Sequence, residues 1–176
     1  MNIFNFSKLK LPIIQAPMAG GFNTPELASA VANSGGVGSF GFSFTSPKKI
    51  DEILNTTKKL TSGFINANFF VFKPVKLPDK EVQEEALKAV ESLSLTEKYD
   101  INIPKEPFYY DLESQIEATL KNLPSIITFH LGIPSIDIIK KIQSFGIRVG
   151  ITATNITEAK NIENVGADFI VAQGIE

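Results

Sequence analysis

The 176-residue sequence contains no cysteine and only one histidine, His130. The lack of cysteine excludes disulfide bonds, thiolate metal sites and a cysteine nucleophile. A single imidazole also cannot form a cluster of histidine metal ligands. The sequence therefore predicts no metal site.

The sequence also lacks blocks of like charge and long apolar runs. It has 17 Lys and Arg against 19 Asp and Glu, a net charge of −2, whereas nucleic-acid binding favours a basic face. No run approaches the ~18 apolar residues of a membrane helix, and residues 1–11 lack the apolar core of a signal peptide. These absences predict a soluble, cytoplasmic protein without a nucleic-acid or membrane partner.

The composition that remains, 43% hydrophobic and 20% charged, is typical of a globular domain. Short β-rich runs alternate with helical patterns at a nearly regular spacing, which predicts an α/β fold of βαβ units wound into one parallel sheet. The six strand candidates are residues 12–16, 36–40, 64–71, 125–129, 147–151 and 168–172.

Helix boundaries are marked by local signals. Thr24 and Ser46 each stand before a proline, as N-cap residues do, and Gly35 suits a left-handed C-cap. The glycine-rich run 35–41 precedes and forms a strand, whereas a Rossmann phosphate loop would follow one. A dinucleotide-binding fold is excluded on that ground.

One gap between strands, residues 74–124, is longer and richer in charge and proline than its surroundings. Apolar spacing predicts a helix over residues 79–99 and a second helix that carries Leu112, Ile116 and Leu120. We interpret the stretch as a helical excursion between the third and fourth strands, within a single domain of residues 1–176.

Ligands of parallel α/β sheets bind at the carboxyl ends of the strands. The loops expected there contain amides, hydroxyls, glycines and one imidazole, which favours a neutral planar cofactor over a metal. His130 ends a predicted strand, and an unperturbed histidine pKa of about 6.5 suits proton abstraction from a carbon acid. The alternative is a buried histidine bonded to backbone, and the two readings are about equally weighted.

Other candidates have stronger structural alternatives. Asn66 and Asn68 share one strand face; neighbouring backbone is the favoured partner of Asn66, and Asn68 is the better cofactor ligand. Met18 could lie against an aromatic ring, although a glycine-rich turn alone explains residues 16–21.

Aromatic and hydroxyl side chains complete the candidates. Phe69, Phe70, Phe72 and residues 108–110 could wall a substrate pocket, but aromatics are more often core. Thr152 and Thr154 could bind a cofactor or merely cap the next helix.

Four motifs in fixed order resemble the nitronate monooxygenase family along essentially the whole chain. They are Pro-Ile-Ile-Gln-Ala-Pro-Met-Ala-Gly-Gly at 12–21, Ile-Thr-Phe-His-Leu-Gly-Ile-Pro at 127–134, Gly-Ile-Thr-Ala-Thr at 150–154 and Asp-Phe-Ile-Val-Ala-Gln-Gly-Ile-Glu at 168–176.

The resemblance implies an FMN-dependent (β/α)8 TIM barrel that oxidises alkyl nitronates with O2 to carbonyl compounds and nitrite. It places the catalytic histidine at His130 and flavin-binding positions at Met18, Asn68, Gln173 and Gly174. Nitronates or nitroalkanes would be the small-molecule substrates.

The family continues beyond Gln-Gly-x-Glu with two more strands and a phosphate-binding loop. We therefore expect the N-terminal part of a barrel, with about six strands, and an activity that needs the C-terminal part. FMN-dependent enoyl-ACP reductases and NADH:quinone reductases share the fold and stay alternatives. An inactive fragment that serves as an interaction module is the alternative from another class.

Overall fold

Parallel β-strands lie side by side in the order in which they occur in the sequence, as seen in a computed structural model that describes residues 4–73, 75–93, 102–103 and 105–174. The strands are β1 (Val37–Gly41), β2 (Phe64–Phe70), β3 (Ile126–His130), β4 (Arg148–Ala153) and β5 (Phe169–Ala172). The α-helices are α1 (Pro25–Asn33), α2 (Pro47–Leu60), α3 (Lys80–Leu93), α4 (Leu112–Leu120), α5 (Ile136–Ser144) and α6 (Ile156–Asn164).

The chain forms two compact units, one of Met1–Phe72 with Tyr110–Glu176 and the other of Lys73–Tyr109. The larger unit holds the sheet and α4, because Ile116 and Leu120 of that helix are buried in its core beside α2. The smaller unit holds α3, which has no buried residue. The stretch expected as one excursion, residues 74–124, thus contains a separate unit and a core helix. Residues 94–99 of the predicted helix lie outside the described residues.

The five α-helices described in the larger unit cover the same face of the sheet. Side chains from α1, α2, α4, α5 and α6 share one buried cluster with alternate residues of the strands, among them Phe40, Phe69, Phe129 and Ile151. Sequential parallel order with helices on one face is the arrangement of a (β/α)8 barrel, whereas doubly wound sheets carry helices on both faces. The α/β fold expected from the sequence is therefore confirmed as an arc of five barrel strands.

The predicted first strand, residues 12–16, is not a full strand. It joins the sheet through a single parallel bridge between Ile14 and Val37, supported by a 2.9 Å hydrogen bond from Gln15 N to Val37 O. The chemical reason lies at Pro17, which has no N–H to continue the ladder.

Beyond this point, two side chains form hydrogen bonds to the β1 backbone groups that the ladder leaves unpaired. Asn23 Nδ2 donates to Ser39 O at 2.7 Å, the acceptor that a residue-17 N–H would reach in a regular ladder. It also donates to Ala16 O at 2.9 Å. Ser39 N in turn donates to Gln15 Oε1 at 3.2 Å. The loop that follows is thereby tied to β1 by side chains.

A second buried cluster lies on the other face of the sheet, at the amino ends of the strands. Phe4 is 3% exposed and packs with Val37 and Ile126, and its ring meets that of Phe64 at 5.2 Å. The N-terminal segment thus covers the amino ends, and the opposite, carboxyl ends remain for a site.

The helix boundaries predicted at Thr24, Gly35 and Ser46 are confirmed. Thr24 Oγ1 accepts from Leu27 N at 3.2 Å, and Ser46 Oγ accepts from Lys49 N at 3.3 Å, so both residues cap helices. Gly35 has φ +100°, the left-handed conformation that glycine adopts without a Cβ clash.

Asp168 links the amino ends of β4 and β5. We expect its carboxylate to make the stability of the fold depend on pH. Burial raises the pKa of Asp168, but hydrogen bonds from Gln143 Nε2 (3.0 Å) and Val149 N (2.8 Å), together with Arg148, outweigh it and lower the pKa. A carboxylate with a lowered folded-state pKa stabilises the fold above its unfolded pKa of about 3.9 and loses this contribution as the pH falls through the folded value.

Asp168→Asn is therefore expected to lower the free energy of unfolding at neutral pH and to flatten its fall between about pH 5 and pH 3. Urea unfolding at a series of pH values measures both effects. Glu163→Gln, at an exposed carboxylate, serves as the control and should retain the wild-type pH dependence. An Asp168→Asn protein with the same pH dependence as wild type would contradict this account.

Candidate active site

A cavity of about 720 Å³ opens at the carboxyl ends of the strands, on the face that the helices leave bare. No Asp, Glu, Lys or Arg is among its described lining residues. These are Ile14, Gln15, Ala16, Pro17, Asn66, Asn68, Phe70, Thr128, His130, Thr152, Val171, Ala172, Gln173 and Gly174. The structure thus brings His130 together with Asn68, Gln173 and Gly174, which the sequence analysis selected from distant motifs.

His130 is the last residue of β3 and stands beside Phe70 in the strand register. Its backbone carbonyl accepts from Val71 N at 2.9 Å, but neither ring nitrogen makes a hydrogen bond to any residue that the structure describes. The ring is partly exposed and lies 5.8 Å from the Phe70 ring, centroid to centroid. The alternative of a buried imidazole bonded to backbone is therefore wrong. Both nitrogens remain for a ligand.

A chain of hydrogen bonds crosses the cavity floor. Asn66 Nδ2 donates to Ser39 Oγ at 3.3 Å, Thr128 Oγ1 donates to Asn66 Oδ1 at 3.0 Å, and Asn68 Nδ2 donates to Thr128 Oγ1 at 2.9 Å. The partners of Asn66 are thus side chains of neighbouring strands, not the backbone groups expected from the sequence. Asn68 is only 4% exposed. Its Nδ2 donates to Thr128, whereas its Oδ1 accepts no hydrogen bond from the described residues.

Gln15 is a lining residue to which the sequence analysis gave no role. Its Oε1 accepts from Ser39 N, which fixes the orientation of the amide. Nε2 is then buried and has no partner among the described residues. Buried polar atoms almost always have a partner, so Nε2 suits a ligand acceptor. In the sequence, Gln15 is marked only by its place in the motif at 12–21, two residues before Pro17.

Gln15 Nε2 and Asn68 Oδ1 offer a donor and an acceptor in one cavity without charged side chains. This pair is complementary to a neutral ring system whose edge carries both carbonyl oxygens and N–H groups. The lining is therefore compatible with such a planar group.

Met18 lies in the loop after residue 16 and is not among the cavity's lining residues. The residue is 45% exposed. The loop backbone lies against Gly41, where a Cβ would come within 2.7 Å of the Met18 carbonyl carbon. The assignment of Met18 to a cofactor stays a prediction.

The remaining candidates separate into two groups. Thr154 donates from N and Oγ1 to Glu158 Oε2 at 2.8 and 2.9 Å, which lowers the pKa of Glu158. Thr154 therefore belongs to the start of α6, whereas Thr152 lines the cavity. Phe69 is fully buried in the core, and Phe70 lines the cavity.

Within the described ranges, no three carboxylate or histidine side chains form a group that could hold a metal ion. None of the helices described here is long and apolar enough to cross a membrane.

A family model described as nitronate monooxygenase matches residues 3–176. A curated nitronate monooxygenase from Paraburkholderia phytofirmans is 38% identical over 171 residues, which are 94% of this chain and 45% of the relative. A nitronate monooxygenase from Pseudomonas aeruginosa is 33% identical over 96% of this chain and 48% of the relative. The chain thus spans about half the length of the curated relatives it matches.

Among solved structures, a nitroalkane oxidase from Streptomyces ansochromogenes superimposes with a TM-score of 0.82 at 28% identity. The match covers 97% of this chain and 48% of that structure. The arc of strands described above therefore corresponds to about half of a solved protein of similar fold.

Proposed function

The chain belongs to the nitronate monooxygenase family, and on that premise we propose that it takes part in the FMN-dependent oxidation of alkyl nitronates by O2 to carbonyl compounds and nitrite. The observation that carries the proposal is the position of His130. Its ring nitrogens are unbonded within the described chain and border the same uncharged cavity as Asn68, Gln173 and Gly174. We propose this activity for the chain combined with the remaining half of the relatives' length.

The nitronate monooxygenase family is in general flavin-dependent. FMN, when bound, supplies the electron acceptor and the reactivity toward O2 that amino-acid side chains lack. Asn68 Oδ1 and Gln15 Nε2 would hold a ring edge through one acceptor and one donor. Gln173 and Gly174 border the cavity from the end of β5, and Met18 would contribute from its loop.

His130 would act on the substrate from the end of β3. A protonated ring nitrogen donates to an oxygen of the anionic nitronate and holds it in the cavity. A neutral ring nitrogen accepts the proton from the α-carbon of a nitroalkane. Since no carboxylate or lysine lies among the described lining residues, we assign the acid–base role to the His130 imidazole.

The curated relatives carry the nitronate monooxygenase name, so the enoyl-ACP reductase, quinone reductase and interaction-module alternatives are not favoured. The expected cytoplasmic location stays part of this proposal, and cell fractionation tests it.

Steady-state assays test the proposed reaction. We would compare the 176-residue chain with a chimera in which residues 1–174 replace the matching part of the Pseudomonas aeruginosa relative. With FMN, the chimera should consume O2 and release nitrite when given ethyl nitronate. Turnover of NADH with a quinone, or of an enoyl thioester, but not of a nitronate would contradict the proposal.

Asn68→Ala is expected to weaken FMN binding about tenfold, because losing one buried hydrogen bond costs about 1.4 kcal/mol. Quenching of FMN fluorescence in the chimera measures the dissociation constant. Thr154→Ala, at the same sheet edge but bonded to Glu158, is the matched control and should bind FMN as wild type does. Equal affinities in both variants and wild type would remove Asn68 from the cofactor site.

A further inference from the structure

The His130 imidazole is oriented without hydrogen bonds from the described chain, and its one ring contact there is with Phe70. We propose that Phe70 is a positioning residue that holds the His130 ring in the cavity, and that Phe44 and Phe72 brace Phe70. The inference rests on the proposed function for its kinetic consequence only, since the contact itself belongs to the fold.

Backbone bonds on both strands bring the two rings together. Phe70 and His130 are register partners in the parallel pair of β2 and β3. Phe70 N donates to Ser43 Oγ at 2.9 Å, and Val71 N donates to His130 O at 2.9 Å. These bonds fix both Cα positions, so the rings meet with centroids 5.8 Å apart and planes inclined by 51°. Aromatic pairs favour separations of about 4.5–7 Å in offset or tilted geometry.

Phe70 is itself held by two more rings. Phe44 meets it edge to face at 6.0 Å and 89°, and Phe72 does so at 5.7 Å and 84°. Phe44 and Phe72 contact each other at 5.7 Å. Phe44 is 58% exposed, so burial of its apolar surface alone does not explain why its ring lies against those of Phe70 and Phe72. The edge-to-face contacts restrict the Phe70 ring, and a restricted Phe70 limits the orientations open to His130.

This role differs from mere core packing. Phe69, one residue earlier, faces the helices and is fully buried, whereas Phe70 lines the cavity beside His130. A residue that aligns a catalytic imidazole acts on turnover more than on substrate affinity, because alignment matters most when the proton moves.

The single histidine makes the contact directly measurable by NMR in the 176-residue chain. The Phe70 ring current should displace the carbon-bound imidazole protons, and Phe70→Leu should move them by several tenths of a part per million. Phe70→Tyr keeps the ring and should retain the wild-type shifts. Phe145→Leu, the same change at an exposed ring before the amino end of β4, is the control and should leave them in place.

Imidazole shifts that coincide in folded wild-type and Phe70→Leu proteins would overturn the inference. If Phe70→Leu does not fold, nuclear Overhauser contacts between the Phe70 and His130 rings in wild type decide the matter, and their absence would overturn it equally. In the chimera, Phe70→Leu should lower kcat about tenfold with KM changed less than about threefold, and Phe70→Tyr should restore kcat. An inactive wild-type chimera would count against the proposed function, whereas the NMR result stands by itself.

Discussion

Replacing His130 with asparagine should lower kcat/KM for nitroalkanes by roughly 10²–10⁴-fold, the usual contribution of a positioned acid–base group. Asparagine is similar in size and polar but cannot accept the proton from carbon. Nitrite release by the chimera, measured against nitroalkane concentration, gives the rate constants. The loss should be smaller with a preformed nitronate, because its proton has already left and only the orienting contact is missing.

FMN affinity separates this prediction from a general loss of structure. His130→Asn should bind FMN within about twofold of wild type, a change well below the ~1.4 kcal/mol of a tenfold effect. Thr154→Ala is again the control, and it should keep both activity and affinity. A His130→Asn protein with wild-type kcat/KM for nitroalkanes would show that another group moves the proton.

Gly38→Ala should destabilise the fold by about 3 kcal/mol, the upper range for overpacking a core. A Cβ at Gly38 would overlap Ala28 O and lie 2.7 Å from Ala28 C, both backbone atoms of α1. No side-chain rotation relieves that contact, so α1 would have to move away from β1. Urea unfolding of the 176-residue chain gives the free-energy difference.

Gly174→Ala is the matched control for that substitution. Nothing lies within 4 Å of a Cβ added there, so the variant should unfold within about 0.5 kcal/mol of wild type. Equal stability of Gly38→Ala and wild type would mean that α1 does not approach β1 as closely as described.

The strands could be predicted because several of them are short, nearly continuous apolar runs, which are typical of parallel sheets. The starts of α1 and α2 could be predicted because Thr24 and Ser46 act within three residues of themselves. In these cases, interactions between residues close in sequence were enough to predict the element.

Features that depend on distant contacts could not be predicted in the same way. The ladder of the first strand stops at Pro17, which has no N–H. That the Asn23 side chain then donates to Ser39 O in its place is a contact that no local pattern indicates. The contact between Phe70 and His130 depends on the register of β2 and β3. The sequence does not indicate how two strands 60 positions apart align. Likewise, the apolar spacing of α4 predicts a helix but not that α2 is its neighbour.

The candidate site shows the same division. Strand position pointed to His130 and Asn68, and the resemblance to nitronate monooxygenases implied Gln173 and Gly174. All four line the cavity. Gln15 was missed because its importance depends on a contact distant in sequence. Ser39 N donates to its Oε1, and Nε2 is then buried without a partner among the described residues.

Anaerobic reduction of the FMN-loaded chimera is the most direct test of the proposed function. Mixing with ethyl nitronate should bleach the flavin absorbance, NADH should leave it unchanged, and readmitted O2 should restore the colour with release of nitrite. Prompt bleaching by NADH, with no response to the nitronate, would contradict the account.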